Sequence, residues 1–516
     1  MTYGISQPSV SPFFIFPVLM MMNKLKYLLA GMFLVSVTIR GFSQSSHFID
    51  LKAFHNISSH DLLEFATELS TEKYGGRLSG SPGYDAVARW VAGLLQEWGV
   101  QPGANDGSYF QRFSNPWTEV LHPGSVKIFG QNSEDMLLRF PDDYYPGSNS
   151  ASGTVEGEVV YAGFGISAAE MGYDDYAGID VRGKIVLIES GIPYSRNDPD
   201  LARWEPYSYH RYKFSRAREL GATGLLYVGL VANPNTAFID SFVYVHLSET
   251  MADELFRGTG TKFSELKQKI TASLKPSSME LHRKVALTAS TRHFHDAQSC
   301  NVIGIIPGSD PILKDEAIVL GAHLDGVGSP GMLFPGALDN ASGVADLLGM
   351  ARALSVSEKK PGRTIIMLFF GGEECGLLGS REYVLNPVWP KEKTLLMVNL
   401  DMVGNGTGFH LSGGLSFPGM LKHFEEASMK YLHRDLRSSA TSPSYGRPRT
   451  DGAVFEKAGY ITFGLWTTGT VKTVYYHQPM DNIGALTPEI MEDATKLLYV
   501  GVLGVSNDRE LKIGTP

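Results

Sequence analysis

Two cysteines, Cys300 and Cys375, stand in a chain of 516 residues, so no disulfide framework can hold it. Charge is scarce as well: Asp, Glu, Lys and Arg make up 19% of the residues, against 43% hydrophobic. A chain that apolar and that weakly charged buries a core and is not intrinsically disordered. A basic excess is missing: 45 Lys and Arg face 54 Asp and Glu, a formal charge of −9. No nucleic-acid partner is therefore expected, because nothing offers phosphates a basic surface. The sequence has no internal repeat and no low-complexity tract. What it does have is length, enough for two large domains or about three of ordinary size.

An apolar run near the N-terminus, 27–39, is too short for a comfortable membrane span. Lys24 and Lys26 precede it, and the small residues Gly41 and Ser43 follow before Gln44. Charged start, short apolar stretch and small-residue zone are the three parts of a secretory signal. Residues 1–43 are read as that signal, with translation starting at Met22 and 1–21 an over-extended start. The expectation is an exported protein, periplasmic or extracellular, with no stable membrane insertion after cleavage. No cysteine sits near the cleavage zone, which disfavours a lipoprotein.

Residues 59–102 are patterned as helix, with Val87, Val91, Leu94, Leu95 and Trp98 on one face and Gly99 and Pro102 as stops. Near residue 125 the text changes to short β-rich runs bounded by glycine, 159–161, 184–188 and 224–228, with a helix around 214–220. The stretch 125–290 reads as a separate β-rich module. From Asn301 onward the rhythm is strand, loop, helix. The runs 317–320, 364–370 and 395–400 are continuously apolar, as in strands buried on both faces of a parallel or mixed sheet. The helix after the first of these carries Val344, Leu347, Leu348, Ala351 and Leu354 on one face. The expected fold is an α/β class, a three-layer α/β/α sandwich around a mostly parallel mixed sheet, with the β-rich module inserted.

Each of these strands ends in chemistry. The first closes on His323-Leu324-Asp325, the following loop holds Leu338-Asp339-Asn340, the second strand closes on Gly371-Gly372-Glu373-Glu374, the third on Asn399-Leu400-Asp401, and Tyr475-Tyr476-His477 follows near the C-terminus. In open α/β sheets, ligands gather beyond the carboxyl ends of the strands. Two imidazoles and four carboxylates converging there need a cation, since two carboxylates about 4 Å apart repel by roughly 4 kcal/mol at an effective dielectric near 20. Mixed His, Asp and Glu ligation without thiolate suits zinc, with manganese or cobalt as the other candidates. Two such metals sharing one carboxylate could clamp a water and polarise a carbonyl together. Of the adjacent Glu373 and Glu374, one can ligate metal while the other takes a proton from water. That is the chemistry of amide hydrolysis.

These five separated motifs, in this order, resemble the M28 metallopeptidases, the family of secreted aminopeptidases and glutamate carboxypeptidases. The resemblance runs from about Ser59 to the C-terminus and implies a zinc-exopeptidase fold. It implies that His323 and Asp401 or Glu374 divide between two zinc ions, that Asp339 bridges them, and that His477 completes the set. It makes Glu373 the general base and Glu374 a ligand. It gives Asp325 the role of an acid that orients His323 and Tyr476 that of stabilising the oxyanion. Likewise Gly163-Phe164-Gly165, Asp174 with Tyr176, and the run 181–187 resemble a protease-associated (PA) domain, which implies a peptidase domain of 44–124 and 291–516 with the insert at 125–290. In relatives such an insert roofs the active site, restricts substrate size or contributes to subunit contacts, so a homodimer is also in view.

The sequence departs from the family pattern at three positions: Leu338 replaces a frequent acid, Gly326 a histidine and Cys375 a glutamine. None is a ligand of the implied metals, and Cys375 is read as packing, with both cysteines free thiols. Asp451 sits where the family often has an acid beside the substrate pocket, an ordinary helix cap being nearly as good a reading. Asp481 is read as structural, and His293, His295, His410, His423 and His433 as surface or packing residues. The functional reading is a zinc-dependent exopeptidase acting on peptides, first an aminopeptidase. The alternatives are a carboxypeptidase for acidic C-termini, for which Arg447 and Arg449 could receive a carboxylate, and a non-catalytic, receptor-like binding protein.

Overall fold

Three strands of seven residues, Ala317–His323, Thr364–Phe370 and Thr394–Leu400, are buried along their whole length. Such runs have no solvent face to offer, so they pair at the centre of a sheet and are covered on both sides. In the computed structural model, which describes residues 49–131, 134–194, 201–441, 448–469 and 475–514, they do so. The expected signal, 1–43, and Arg447 lie outside the described residues. Among those residues no helix is long and apolar enough to cross a membrane.

The three strands and Thr462–Thr468 run parallel to their neighbours, in the order 364–370, 317–323, 394–400, 462–468. Antiparallel strands flank this block: Gln298–Ile306 on one side and Gly408–Ser412 on the other. The result is a nine-stranded mixed sheet. On one face Ile303, Val319, Leu368 and Met397 pack with Tyr383 and Phe455 from the helices Leu378–Leu385 and Asp451–Lys457. On the other, Ser342–Val356 lies against the sheet and packs with Ser59–Leu69 and Pro488–Asn507. These are the three expected layers. The expected one-sided face of 342–356 is not observed: Ser342 to Ala351 is buried all round, because the second helical shell covers its far side.

Helix starts follow local chemistry. Ser81 caps Pro82–Glu97 by accepting from the Tyr84 N–H at 3.2 Å, with Pro82 in the first turn, and Gly99 leaves the helix at φ +72°. Thr450 caps Asp451–Lys457 through the Ala453 N–H at 3.2 Å, so Asp451 is not the cap that its sequence position suggested.

A second sheet of eight strands holds the chain between Trp117 and Phe294. The long pair Trp117–Ile128 and Met279–Phe294 is antiparallel, Gly153–Tyr161 joins the second of these antiparallel, and Ile185–Ile188, Gly224–Val228 and Val243–Leu247 follow it, each parallel to the last. Phe214 and Ala217 of the helix His210–Glu219 cover one face, and Leu255, Phe263 and Ile270 the other. The composition change near 125 falls inside the first long strand, since the chain enters this sheet through continuous strand and not through a linker. The motif residues of this region pack together. The carboxylate of Asp175 accepts from the N–H groups of Phe164 (3.0 Å) and Ile166 (3.1 Å), and a Cβ at Gly163, where φ is +47°, would collide with it.

One core residue is at odds with its surroundings. Asp346, in the middle of Ser342–Val356, is fully buried, and neither oxygen makes a well-formed hydrogen bond. Burial pushes its carboxyl well above the ordinary value, only partly offset by the Thr495 hydroxyl. Below the ordinary carboxylate pKa both folded and unfolded chains hold the proton; as pH rises, the unfolded chain releases it first, and stability is lost. Asp346→Asn is therefore expected to raise Tm at pH 8 by about 1 °C for each kcal/mol relieved in a chain of this length, and to raise it less at pH 5. Thermal melts at the two pH values check this; a Tm lowered equally at both would contradict it.

Candidate metal centre

The sheet carries its acids and imidazoles to one edge. His323 is the last residue of Ala317–His323, Asp401 follows Thr394–Leu400 directly, and Glu373 and Glu374 follow Thr364–Phe370 by three and four residues. Asp339 lies in the turn Ala337–Ala341 that opens the helix Ser342–Val356, and His477 lies beyond Thr462–Thr468.

The structure brings these residues together as three overlapping groups, one of them His323 with Glu373 and Glu374. Ligand-type atoms of His323, Asp339 and Asp401 lie within 4.8 Å of one another, and so do those of Asp339, Glu374 and His477. His323 Nε2 is 3.1 Å from Asp339 Oδ1 and 3.7 Å from Asp401 Oδ1. His477 Nε2 is 3.7 Å from Asp339 Oδ2 and 2.9 Å from Glu374 Oε2. Each oxygen of Asp339 thus faces a different imidazole, and His323, Asp339, Glu374 and His477 are buried, with Asp401 and Glu373 partly exposed. Burial disfavours the imidazolium of His323, but Asp339 and Asp401 outweigh it and raise its pKa well above the ordinary value. Both nitrogens of His477 are buried without a hydrogen bond of proper geometry. An imidazole buried between carboxylates and bonded to neither suits a ligand position.

Behind these residues stands a second set that sequence reasoning assigned differently or passed over. Asp325 was expected to orient His323 with its carboxylate. That carboxylate lies 3.7 Å from His323 Nδ1, with the main-chain carbonyl of Asp325 nearer at 3.2 Å, and it also accepts from the N–H groups of Glu373 and Glu374, both at 3.1 Å. The turn after the strand aims the side chain at the glutamate pair, so Asp325 fixes the backbone of both. Asp481 does the same for the loop of Asp339, accepting from Leu338 N–H at 2.7 Å and Asp339 N–H at 3.0 Å. Asn340 ties that loop to the next strand end: its amide donates to Leu400 O at 2.8 Å, and its oxygen accepts from Met402 N–H at 3.2 Å.

Arg77, which nothing in the sequence singled out, is fully buried beneath the acids. Its guanidinium donates to the carbonyls of Leu324 (3.0 Å), Leu69 (2.8 Å), Pro335 (2.7 Å) and Gly336 (2.8 Å). One cation therefore pins the segments after His323 and before Asp339, and its charge sits among Asp481, Asp325, Asp339 and Glu374. The glycine at 326 has a reason here: a Cβ would stand 2.9 Å from Gly76 O and 3.4 Å from the Arg77 guanidinium. Leu338 is buried, and Cys375 belongs to none of the ligand groups among the described residues. Both cysteines are free thiols.

In front of the acids opens a cleft of about 580 Å³. Glu373, Glu374 and Tyr476 form one wall, and Ser208, His210, Tyr227 and Asn233 of the second sheet's region form the other. Tyr476 stacks on the His477 ring, with centroids 3.8 Å apart. The second sheet also props the His477 loop: Ala232 N–H donates to His477 O at 3.2 Å, and the Tyr145 hydroxyl to Gln478 Oε1 at 3.2 Å. Arg449 reaches the cleft, but its guanidinium is engaged by Glu205 and Ser208, each at 3.2 Å. Asp451 is buried, with burial and the nearby Asp401 and Glu374 raising its carboxyl to about 7 against the pull of His323 and Ser380. Among the remaining histidines, His293 stacks on Phe238, His410 on Trp466, and His423 bonds Asp508 at 2.9 Å.

Residues 301–501 match the family model "Peptidase family M28". Leupeptin-inactivating enzyme 1 of Streptomyces exfoliatus is 30% identical over 176 residues, covering 33% of this chain and 36% of that enzyme. The chain thus spans about a third of that relative's length. An aminopeptidase of Pseudomonas aeruginosa is 23% identical over 465 residues, 83% of this chain and 77% of its own. A solved zinc aminopeptidase of Bacillus subtilis shares the fold with a TM-score of 0.60 at 21% identity, covering 89% of this chain and 98% of that one.

Lysine cannot replace the planar fork of Arg77. Arg77→Lys, with three donors for four carbonyls, leaves at least one buried carbonyl without a donor, at about 1–3 kcal/mol. Urea unfolding is expected to show a loss of about 1–3 kcal/mol; an unchanged midpoint would contradict the role given to Arg77.

Proposed function

We propose that this chain is an exported metallo-aminopeptidase of the M28 type that removes N-terminal residues from peptides and holds two zinc ions. The observation that carries the reading is the position of Asp339, whose two oxygens face separate ligand sets. His323, Asp339 and Asp401 would hold one ion, and Asp339, Glu374 and His477 the other. The donor set fits: it is nitrogen and oxygen throughout, with no thiolate, and its buried carboxylates need positive charge that Arg77 alone does not supply. When bound, such a pair supplies Lewis acidity, acidifying water and polarising a carbonyl.

The chain's own residues do the rest. Glu373, its N–H anchored on Asp325, stands in the cleft as the base that accepts a proton from the attacking water and returns it to the leaving amine. Burial raises its carboxyl well above the ordinary value; His323 opposes this, and Glu374, Asp451 and Asp401 add to it. A base shifted upward can both take and give a proton near neutrality. Tyr476, in the same wall, offers its hydroxyl to the developing oxyanion. We read the second sheet as the PA-like insert, supported by its motif residues and by its place across the cleft. The pattern of residues 24–44 supports export.

Assays with amino-acid nitroanilides against N-acylated acidic dipeptides test the reading. Turnover of the first alone is expected; turnover of the second alone would favour the carboxypeptidase, whose basic pocket is weakened by the engagement of Arg449. Glu373→Gln is expected to lower kcat by about 10²–10⁴-fold while metal content, read by elemental analysis, stays near that of the wild type. Undiminished kcat would remove Glu373 from its role.

A further inference from the structure

The wall of the cleft opposite Glu373 holds a histidine that the proposed chemistry leaves without a task. His210 opens the helix His210–Glu219 and lines the cleft together with Asn233, Glu373 and Tyr476. Its ring is wedged edge-on against Tyr227, with centroids 4.5 Å apart, and lies parallel to Phe214 at 6.0 Å. The Asn233 amide nitrogen is 2.7 Å from His210 Nδ1.

The orientation of Asn233 is set by the backbone: its Oδ1 accepts from the Asn235 N–H at 3.2 Å, so Nδ2 is the atom turned to the histidine. An amide nitrogen can only donate, so Nδ1 of His210 must be the bare nitrogen and the ring proton sits on Nε2. Asn233 is itself buried, its own N–H held by Ser148 Oγ at 3.3 Å. Burial, with His246, Lys213 and His477 nearby, holds His210 well below the usual histidine range, so the ring is neutral at physiological pH. A chain of hydrogen bonds beginning at a main-chain N–H thus fixes one tautomer and leaves a neutral donor at the cleft wall. A histidine that merely filled space between Tyr227 and Phe214 would not need its tautomer set in this way.

We propose that His210 is a substrate-positioning residue whose Nε2–H receives a peptide carbonyl oxygen on the leaving-group side of the scissile bond. This rests on the aminopeptidase reading. An aminopeptidase keeps one residue on the amino side, so the rest of the peptide must run into the open cleft that begins at Glu373, the group that returns the proton to the leaving amine. A neutral N–H is matched to a neutral carbonyl. The substrate class that follows is a peptide with at least one amide carbonyl beyond the cleaved bond, preferred over an aminoacyl anilide, which has none.

The test compares kcat/KM for a tripeptide and for the nitroanilide of the same N-terminal residue, in the wild type, His210→Phe and His210→Gln. Phenylalanine keeps the packing against Tyr227 and removes the donor; glutamine keeps an N–H. The peptide-to-anilide ratio is expected to fall about fivefold or more in His210→Phe, the worth of one hydrogen bond, and to recover in part in His210→Gln. Equal losses on both substrates, or no loss, would overturn the role of His210 alone. A wild-type protein that releases the N-terminal residue from neither substrate would overturn the aminopeptidase reading and this assignment with it.

Discussion

Everything in the site depends on one carboxylate shared between two imidazoles. Asp339 places Oδ1 against His323 and Oδ2 against His477, and Asp401 and Glu374 close the two groups. Buried acids at such spacing repel one another by several kcal/mol at any realistic interior dielectric. A fold that still collects them must hold each backbone segment rigidly and must expect positive charge from outside the chain.

The holding is done by groups that never touch the cleft. Asp325 grips the two N–H groups of the glutamate pair, Asp481 grips those at Leu338 and Asp339, and Asn340 joins the Asp339 loop to the end of the Asp401 strand. Arg77 gathers four carbonyls from three segments. Each is a charged or amide side chain satisfying main-chain groups that strand ends would otherwise leave without partners. The second sheet adds the far wall of the cleft and three hydrogen bonds to the His477 loop, the third from the Gln478 amide to Leu230 O, so the ligand edge is built by both sheets.

Much of this was legible before any coordinates. Apolar runs without alternation identified the central parallel strands, and acids and histidines just past their ends marked the edge where they would meet. The supporting set was less legible because its signals are ordinary. Arg77, in Gly75-Gly76-Arg77-Leu78, looks like a surface residue in a turn; only the positive φ values of 75, 76 and 77 and the carbonyls around them explain its burial. Asp325 was noticed as a partner of His323, from which its carboxylate lies 3.7 Å, but its grip on the Glu373 and Glu374 N–H groups was not legible, since spacing says nothing about where a turn aims a carboxylate. The edges of the second sheet were blurred because strands, not linkers, carry the chain across them, and the place of His210 depends on a contact with Asn233, 23 residues away.

The central claim is that two cations share Asp339. Zinc content per chain, measured by elemental mass spectrometry on the purified protein and on Asp339→Ala, tests it most directly. Two equivalents in the wild type and the loss of both in the variant are the expected result. A single equivalent in the wild type, or two retained without Asp339, would contradict the account.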